Sequence, residues 1–600
     1  MKKREFTIEN EYKYNYKSSV AWLVSHMMKY KFYVLGFILA SILMTVLSVN
    51  VSRLTGDAFN FVLESSMDRD RFKFIVFGIL GASFAILAAK LSNYFFIEII
   101  ASRIERDTRE ELYLNLLGKS QTFHNRHRAG DIMASAGNDV QFLNGMTNPG
   151  LSNIFNAVVN LVVPIIFIAY INSKLLLVPV IFEAFFLVSL RHYAKRFFPV
   201  AAETTKSFST MSADLTEVLS GIVVVKGAGQ EEKEISKFAK NVSWNRDINI
   251  KKGKLQASYL PPLFFGLALV LSFIHSIILY RQGSVKVGDI VYYIGLVSML
   301  NAYSATFIDS FSHIQLGMAA ARRILGLIKS DTEVDENAGG YSGKMKGSIT
   351  FENVTFAYDN GTVLEDISFS VKPGQVVAIV GQTGSGKTTL SKLINRIYDV
   401  KSGKILIDGI DVKEWSLESL RSQISAIEQE ISLFSRSIAS NISFGLGRQM
   451  DMESIEQAAK MAQAHKFITS LKDGYCTMLG DQGVTLSGGE RQRIALARTI
   501  LVNPSIVILD DSTSAIDSTT EEEIQQAIRN VLQGRTTIVI THRLAQIKKA
   551  DKILMLKKGR LIDQGTHEEL LARCDAYNSL FYHKELKFVK KEGVKCPTII

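Results

Sequence analysis

At 600 residues the chain is too long for one hydrophobic core, so several domains are expected. A hydrophobic share of 47% and a positive mean hydropathy are high for a soluble enzyme and point to a membrane portion. The net charge of +11 would suit nucleic acid or anionic lipid, but apolar runs flanked by Lys and Arg make the positive-inside bias the better account, so a lipid bilayer and no nucleic acid is the expected partner.

Residues 1–17 are polar and rich in Tyr and Lys, and no apolar run opens the chain, so no cleaved signal peptide is expected. Residues 18–30 are amphipathic, with Trp22 placed for an interface, and predict a short helix on the cytoplasmic membrane face. The alternative is a first turn of the following span. Six apolar segments follow at 32–52, 74–100, 150–172, 175–192, 260–281 and 289–311, each near the roughly 20 residues of a bilayer crossing. Joins after the first, third and fifth are short, and those after the second and fourth are long and charged. With Arg103, Arg106, Arg109, Arg126 and Arg128 on the long joins, this predicts a multi-pass protein of the plasma or inner membrane with both termini in the cytoplasm. Residues 1–325 form this membrane domain.

Polar groups inside spans are candidates for a substrate cavity: Glu183 in the fourth span, and Asn160 and Asn301 at middle depths. Lys90 differs in depth from Glu183 and makes a poor partner for it. Interhelical hydrogen bonding is the plainer role for the asparagines, Asn156 included.

Residues 326–346 are polar and glycine-rich and predict a linker. From Gly347 to residue 583 strand-like and helix-like segments alternate, which predicts an α/β domain. The Lys-rich stretch 584–600 is expected to be disordered. Cys476, Cys574 and Cys596 show no metal-ligand spacing and are expected to be reduced and non-catalytic.

The α/β half carries the chemistry. Val376–Val380 reads as a buried strand running into Gly381-Gln-Thr383-Gly384-Ser385-Gly386-Lys387-Thr388-Thr389, which opens a helix. Such a loop curls so that backbone N–H groups face phosphate oxygens at a helix start. Lys387 is placed to reach the β- and γ-phosphates, and the Thr388 hydroxyl to hold Mg²⁺. A second strand, Ser505–Leu509, ends in Asp510-Asp511, and Asp510 is a candidate Mg²⁺ ligand. A third, Thr536–Ile540, ends in Thr541-His542. Lys, Asp and His at three strand ends predict one converging site.

Between them lies Leu486-Ser487-Gly488-Gly489-Glu490 ahead of an apolar helix. With these motifs the chain resembles an ATP-binding-cassette transporter of the exporter type over residues 20–582: a six-helix transmembrane domain fused to a P-loop nucleotide-binding domain. The resemblance implies that Leu486–Glu490 bind the γ-phosphate of ATP held by the opposite protomer and that Tyr358 stacks on adenine. It further implies that Gln429 touches Mg²⁺ and relays to the membrane domain, although Glu428 stands where proline is frequent. Thr477–Gly483, with Asp481 where Glu is usual, resembles the segment that meets the coupling helices, and Asp517 the loop crossing the dimer interface. Gly130-Asp131 and Glu217–Lys226 resemble the stretches that carry those helices.

One departure stands out. The family's usual catalytic base is a glutamate, and this chain has Asp511. One methylene fewer withdraws the carboxylate by roughly 1–1.5 Å, and misplacement of that order costs about 100-fold in rate. The resemblance then implies a heterodimer in which this chain forms the slow site and lends a sound signature to its partner; a homodimer served by Asp511 is the alternative. The expected function is ATP-driven export of an amphipathic or hydrophobic compound, whether drug, lipid or peptide. A fused importer of a chelate or vitamin, or an ATP-gated channel or sensor, are the other readings.

Overall fold

The computed structural model describes residues 3–7, 12–63, 69–258, 261–300, 306–446, 450–480, 483, 486–510 and 518–579. Asn301, Asp481, Asp511, Asp517 and the stretch 584–600 lie outside these. The chain forms two compact units: Tyr12–Tyr113 with Gly130–Lys329, and Met1–Glu11 with Leu114–Ala129 and Ser330–Ile600.

The first unit is helical. It opens with α1 (Ser19–Lys29), α2 (Lys31–Leu63) and most of α3 (Arg69–Leu117). Among the described residues five helical stretches are long and apolar enough to cross a membrane: Lys31–Leu63, Arg69–Leu117, Ala129–Ile171, Ser173–Ser220 and Phe264–Arg281. They overlap the first five apolar segments of the sequence and most run well beyond them. The sixth is represented by Val287–Met299, shorter than a crossing, and after 301–305 by Thr306–Lys329. At 1.5 Å per residue the 49 residues of α3 reach about 74 Å, well past a bilayer core of roughly 30 Å. Phe74, Phe77 and Phe84 on α3 are exposed, as lipid-facing side chains are.

Two helices meet backbone to backbone at Gly56 and Gly288. A Cβ on Gly288 would collide with the Gly56 carbonyl oxygen, and the Gly288 N–H donates to Asn60 Oδ1 at 2.7 Å. Small residues let helices approach this closely where no hydrophobic force from water drives them together.

Trp22 is not an interfacial residue. Ser18 caps α1 by accepting from the Ala21 N–H, and the helix turns Trp22 (0% exposed) and His26 inward. Trp22 Nε1 donates to Glu111 Oε2 at 3.1 Å, His26 Nε2 lies 3.0 Å from the same oxygen, and Tyr16 Oη donates to Oε1 at 2.8 Å. Val20, Val24 and Met28 face outward instead. A buried carboxylate demands donors, so the side of this helix that carries Trp22 and His26, with Leu23, turns inside.

The second unit is α/β and holds ten strands among the described residues: β1 (Ile349–Tyr358), β2 (Gly361–Val371), β3 (Val376–Gly381), β4 (Ser402–Ile407), β5 (Ile410–Asp411), β6 (Ile424–Ile427), β7 (Ile506–Asp510), β8 (Thr536–Ile540), β9 (Lys552–Lys557) and β10 (Arg560–Gly565). One sheet runs β2-β1-β4-β5 and is antiparallel; the other runs β10-β9-β3-β8-β7-β6, parallel except for β10. Every residue of β7 and β8 is buried, as parallel strands covered on both faces require. The Phe351 and Phe369 rings stack at 4.5 Å in the core shared by the sheets.

The expected linker is not free chain. Helix Thr306–Lys329 absorbs its first residues. Val334 and Met345 are buried in the α/β core, and Tyr341 exchanges backbone hydrogen bonds with Glu414 and Ser416. Composition shows polarity here, but not the buried residues set among the polar ones.

Leu114–Ala129 lies in sequence between the second and third spans, yet it belongs to the α/β unit, around α4 (Gln121–Arg126). Residues 3–7 join the same unit: Glu5 N–H donates to Gly118 O, Glu336 N–H to Arg4 O, and Arg421 Nη1 to Glu5 Oε2 at 2.7 Å.

Candidate nucleotide site

Parallel pairing puts the C-terminal ends of β3, β8, β7 and β6 along one edge of the six-stranded sheet. Ile379 pairs with Ile540, Asp510 with Ile540, and Ile427 with Leu509. The chain leaves these ends as the glycine loop, Thr541-His542, Asp510 and Glu428-Gln429. Loops at this edge are where open α/β sheets place their ligands.

The loop has the backbone its sequence asks for. Gly381, Gly384 and Gly386 all have positive φ, and a Cβ on Gly381 would strike the Leu556 carbonyl oxygen. Helix Lys387–Ile394 starts directly after it. Ser385 Oγ is buried with no hydrogen-bond partner among the described residues, a cost that an incoming phosphate oxygen would remove. Lys387 Nζ donates to the carbonyls of Gly381 and Gln382 at 3.0 and 3.1 Å, folded across the loop it is meant to serve.

The three proposed Mg²⁺ ligands meet. Thr388, Gln429 and Asp510 line one cavity of about 320 Å³, with Glu428 and Glu430 beside them. Hydroxyl, amide and carboxylate oxygens are the hard donors Mg²⁺ takes, so the residues present fit the ion. Asp510 is buried and Gln429 exposed. His542 follows β8, with Thr541 buried beside it and accepting from the Arg543 N–H at 3.1 Å.

Tyr358 ends β1 and lines a second cavity of about 670 Å³. Its hydroxyl lies 3.4 Å from Thr389 Oγ1 on the helix that follows the loop. The same cavity is lined by Tyr398, Asp359, Asn125 and Arg126, none of which the sequence marked as site residues. The segment facing it is α4; Gly130-Asp131 falls in the helix Ala129–Ala134, in the helical unit. Ser120 ahead of α4 is the local signal of a helix start there.

The signature forms the start of the helix Gly488–Val502, with Ser487 as N-cap and Leu486 buried. Glu490 accepts from the Ser487 N–H and hydroxyl at 2.8 Å each, closing a capping box. Glu490 therefore holds the turn, and the N–H groups of Gly488 and Gly489 are what the turn offers an anion. In the helical unit, Ser41 Oγ donates to Asn156 Oδ1 of another helix at 2.5 Å, whereas Asn160 Nδ2 donates to Asn156 O at 2.8 Å within its own helix Ser152–Ile171. Glu183 is 8% exposed, and its Oε2 has no hydrogen-bond partner among the described residues.

Comparison with known proteins agrees with this architecture. Residues 364–514 match the family model described as ABC transporter, and 34–310 that of the ABC transporter transmembrane region. The chain is 34% identical over 541 residues to the ATP-dependent lipid A-core flippase of Methylobacillus flagellatus, covering 89% of this chain and 90% of that protein. It is 35% identical over 505 residues to the flippase of the same name from Pseudomonas fluorescens strain Pf0-1, covering 84% of each. Among solved structures, a bacterial Atm1-family ABC exporter with ATP bound superposes with a TM-score of 0.77 at 27% identity, covering 94% of this chain and 99% of that one.

Proposed function

The chain belongs to the ABC transporter family, as an exporter-type half-transporter whose ATPase cassette is fused to a multi-pass membrane region, and from that premise we propose that it exports an amphipathic or hydrophobic compound by alternating access. The observation that carries the reading is the meeting of Thr388, Gln429 and Asp510 on one cavity beside the Lys387 loop. That two relatives are named lipid A-core flippases favours a lipid among the possible substrates.

In this reading the loop N–H groups, Ser385 and Lys387 bind the phosphates of ATP, and Tyr358 carries the base. Thr388, Gln429 and Asp510 hold Mg²⁺, which would neutralise charge on the phosphates. Asp511 takes the proton of the attacking water, and His542 contacts the γ-phosphate from β8. Leu486–Glu490 of a second chain close over that phosphate, with Asp517 at the interface. Two chains are needed because one chain's loop and signature serve different ATP molecules. We favour a heterodimer, since Asp511 holds its carboxylate short of where a glutamate would, with both termini in the cytoplasm. Gln429 passes cassette closure on to the membrane helices.

Glu183 serves as a recognition group of the substrate cavity. A buried carboxylate whose Oε2 has no hydrogen-bond partner among the described residues suits a cationic headgroup on an apolar body.

The test is ATP-dependent movement of labelled lipid and cationic amphipath in proteoliposomes of known orientation. Transport out of the cytoplasm-equivalent face, lost in Lys387→Ala, is expected. Movement in the opposite direction would indicate an importer. Conductance without stoichiometric turnover would indicate a channel.

A further inference from the structure

α4 makes two distinct connections to the surroundings of Tyr358. Asn125 Nδ2 donates to Tyr398 Oη at 2.8 Å. The Tyr398 ring stands edge-on to that of Tyr358, centroids 5.3 Å apart at 86°, and Phe356 completes the cluster at 4.8 Å from Tyr358 and 5.5 Å from Tyr398. Arg126 donates through Nε and Nη2 to the two carboxylate oxygens of Asp359, both at 2.6 Å. Asp359 directly follows Tyr358 in the turn from β1 to β2. One connection holds the ring that Tyr358 leans on, and the other the backbone it hangs from.

We infer that Asn125 and Arg126 are positioning residues for the nucleobase: α4 fixes the plane of Tyr358 and so sets how tightly the base half of ATP is held. This rests on the reading of Tyr358 as the adenine platform. A ring whose plane is already fixed loses little freedom when a base stacks on it, whereas an unsupported one must be immobilised at binding. The Arg126–Asp359 pair is about half exposed on both sides, so its part in overall stability is small. Its bidentate geometry, however, defines one direction for the turn. Linkage makes the effect reciprocal: a bound base steadies α4 as far as α4 steadies the base.

The experiment compares binding of Mg-ATP and of Mg-tripolyphosphate, which has no base, to the full-length protein in nanodiscs by calorimetry. Tyr358→Ala is expected to weaken ATP and spare tripolyphosphate. Asn125→Ala and Arg126→Ala are each expected to raise the ATP Kd by about 2- to 12-fold, the range for freeing one side chain, with tripolyphosphate unchanged and no further loss when combined with Tyr358→Ala. The exchange Arg126→Asp with Asp359→Arg should restore ATP affinity. Unchanged ATP affinity in both α4 variants, or parallel weakening of both ligands, overturns the inference. If Tyr358→Ala itself spares ATP, the adenine platform is wrong and the inference falls with it, while phosphate binding by the Lys387 loop stands.

Discussion

Lys387 Nζ rests 3.0 Å from the carbonyl oxygen of Gly381, six residues behind it on the same loop. The ammonium is thereby held over the curl of backbone that phosphates would enter. A phosphate adds the attraction of opposite charges to the hydrogen bond, which a neutral carbonyl does not, so an arriving nucleotide outcompetes the loop for this group. Lys387→Ala is expected to lower ATPase and transport at least 100-fold, with the protein still assembled in the membrane. ATPase and lipid movement in nanodiscs and proteoliposomes check it; retained turnover would move the site elsewhere.

Asp511→Glu extends the carboxylate by one methylene toward the place the family's base occupies. A gain approaching 100-fold in turnover is expected if reach is the handicap, measured as single-turnover hydrolysis by the dimer. An unchanged rate would show that Asp511 already serves.

Glu183→Gln keeps size and removes charge in a buried, apolar setting. Transport of cationic amphipaths should fall about tenfold or more while neutral lipid is carried as before. Equal losses for both classes would assign Glu183 to packing.

Glu5 shows an ion pair that burial outweighs. Oε2 meets Arg421, but Oε1 is buried without a partner among the described residues, and burial raises the carboxyl above the ordinary glutamate value despite Arg421. A raised acid binds its proton more tightly when docked than when free. The docked segment is therefore favoured at low pH and loses ground as pH rises from about 4.5 through the raised value. Exchange of the Glu336 amide, which donates to Arg4 O, should be better protected at pH 5 than at pH 8 once intrinsic rates are removed, and Glu5→Gln should abolish the difference. Arg421→Ala, which strands the carboxylate, should loosen the segment at neutral pH.

Glu111→Ala would leave the buried Trp22 and His26 without their shared acceptor. Stranded buried donors cost about 1–3 kcal/mol each, so a drop in thermal stability of several degrees is expected. Glu111→Gln, which keeps one acceptor oxygen, should lose less. Equal Tm values for wild type and Glu111→Ala would mean that α1 is not held by this network.

What could be read from the sequence was what is local. The glycine loop, the strands feeding it and the signature are each specified within about a dozen residues, and their chemistry follows from backbone geometry. Spans announce themselves by composition. What escaped depends on distant partners. Arg126 finds Asp359 at a separation of 233 residues, and Asn125 finds Tyr398 at 273. Nothing in Gln121–Arg126 alone says which surface it meets. α1 was legible as amphipathic, but which stripe faces inward was decided by Glu111, 89 residues after Trp22.

The α/β unit is assembled from three separate stretches of chain, near residues 3–7, at 114–129 and from 330 onward. An excised cassette beginning near residue 330 would lack Glu5 against Arg421, Asn125 against Tyr398 and Arg126 against Asp359. During synthesis the first two stretches leave the ribosome long before their partners exist, so this half of the protein is completed only when its last part emerges and closes around pieces made at the start.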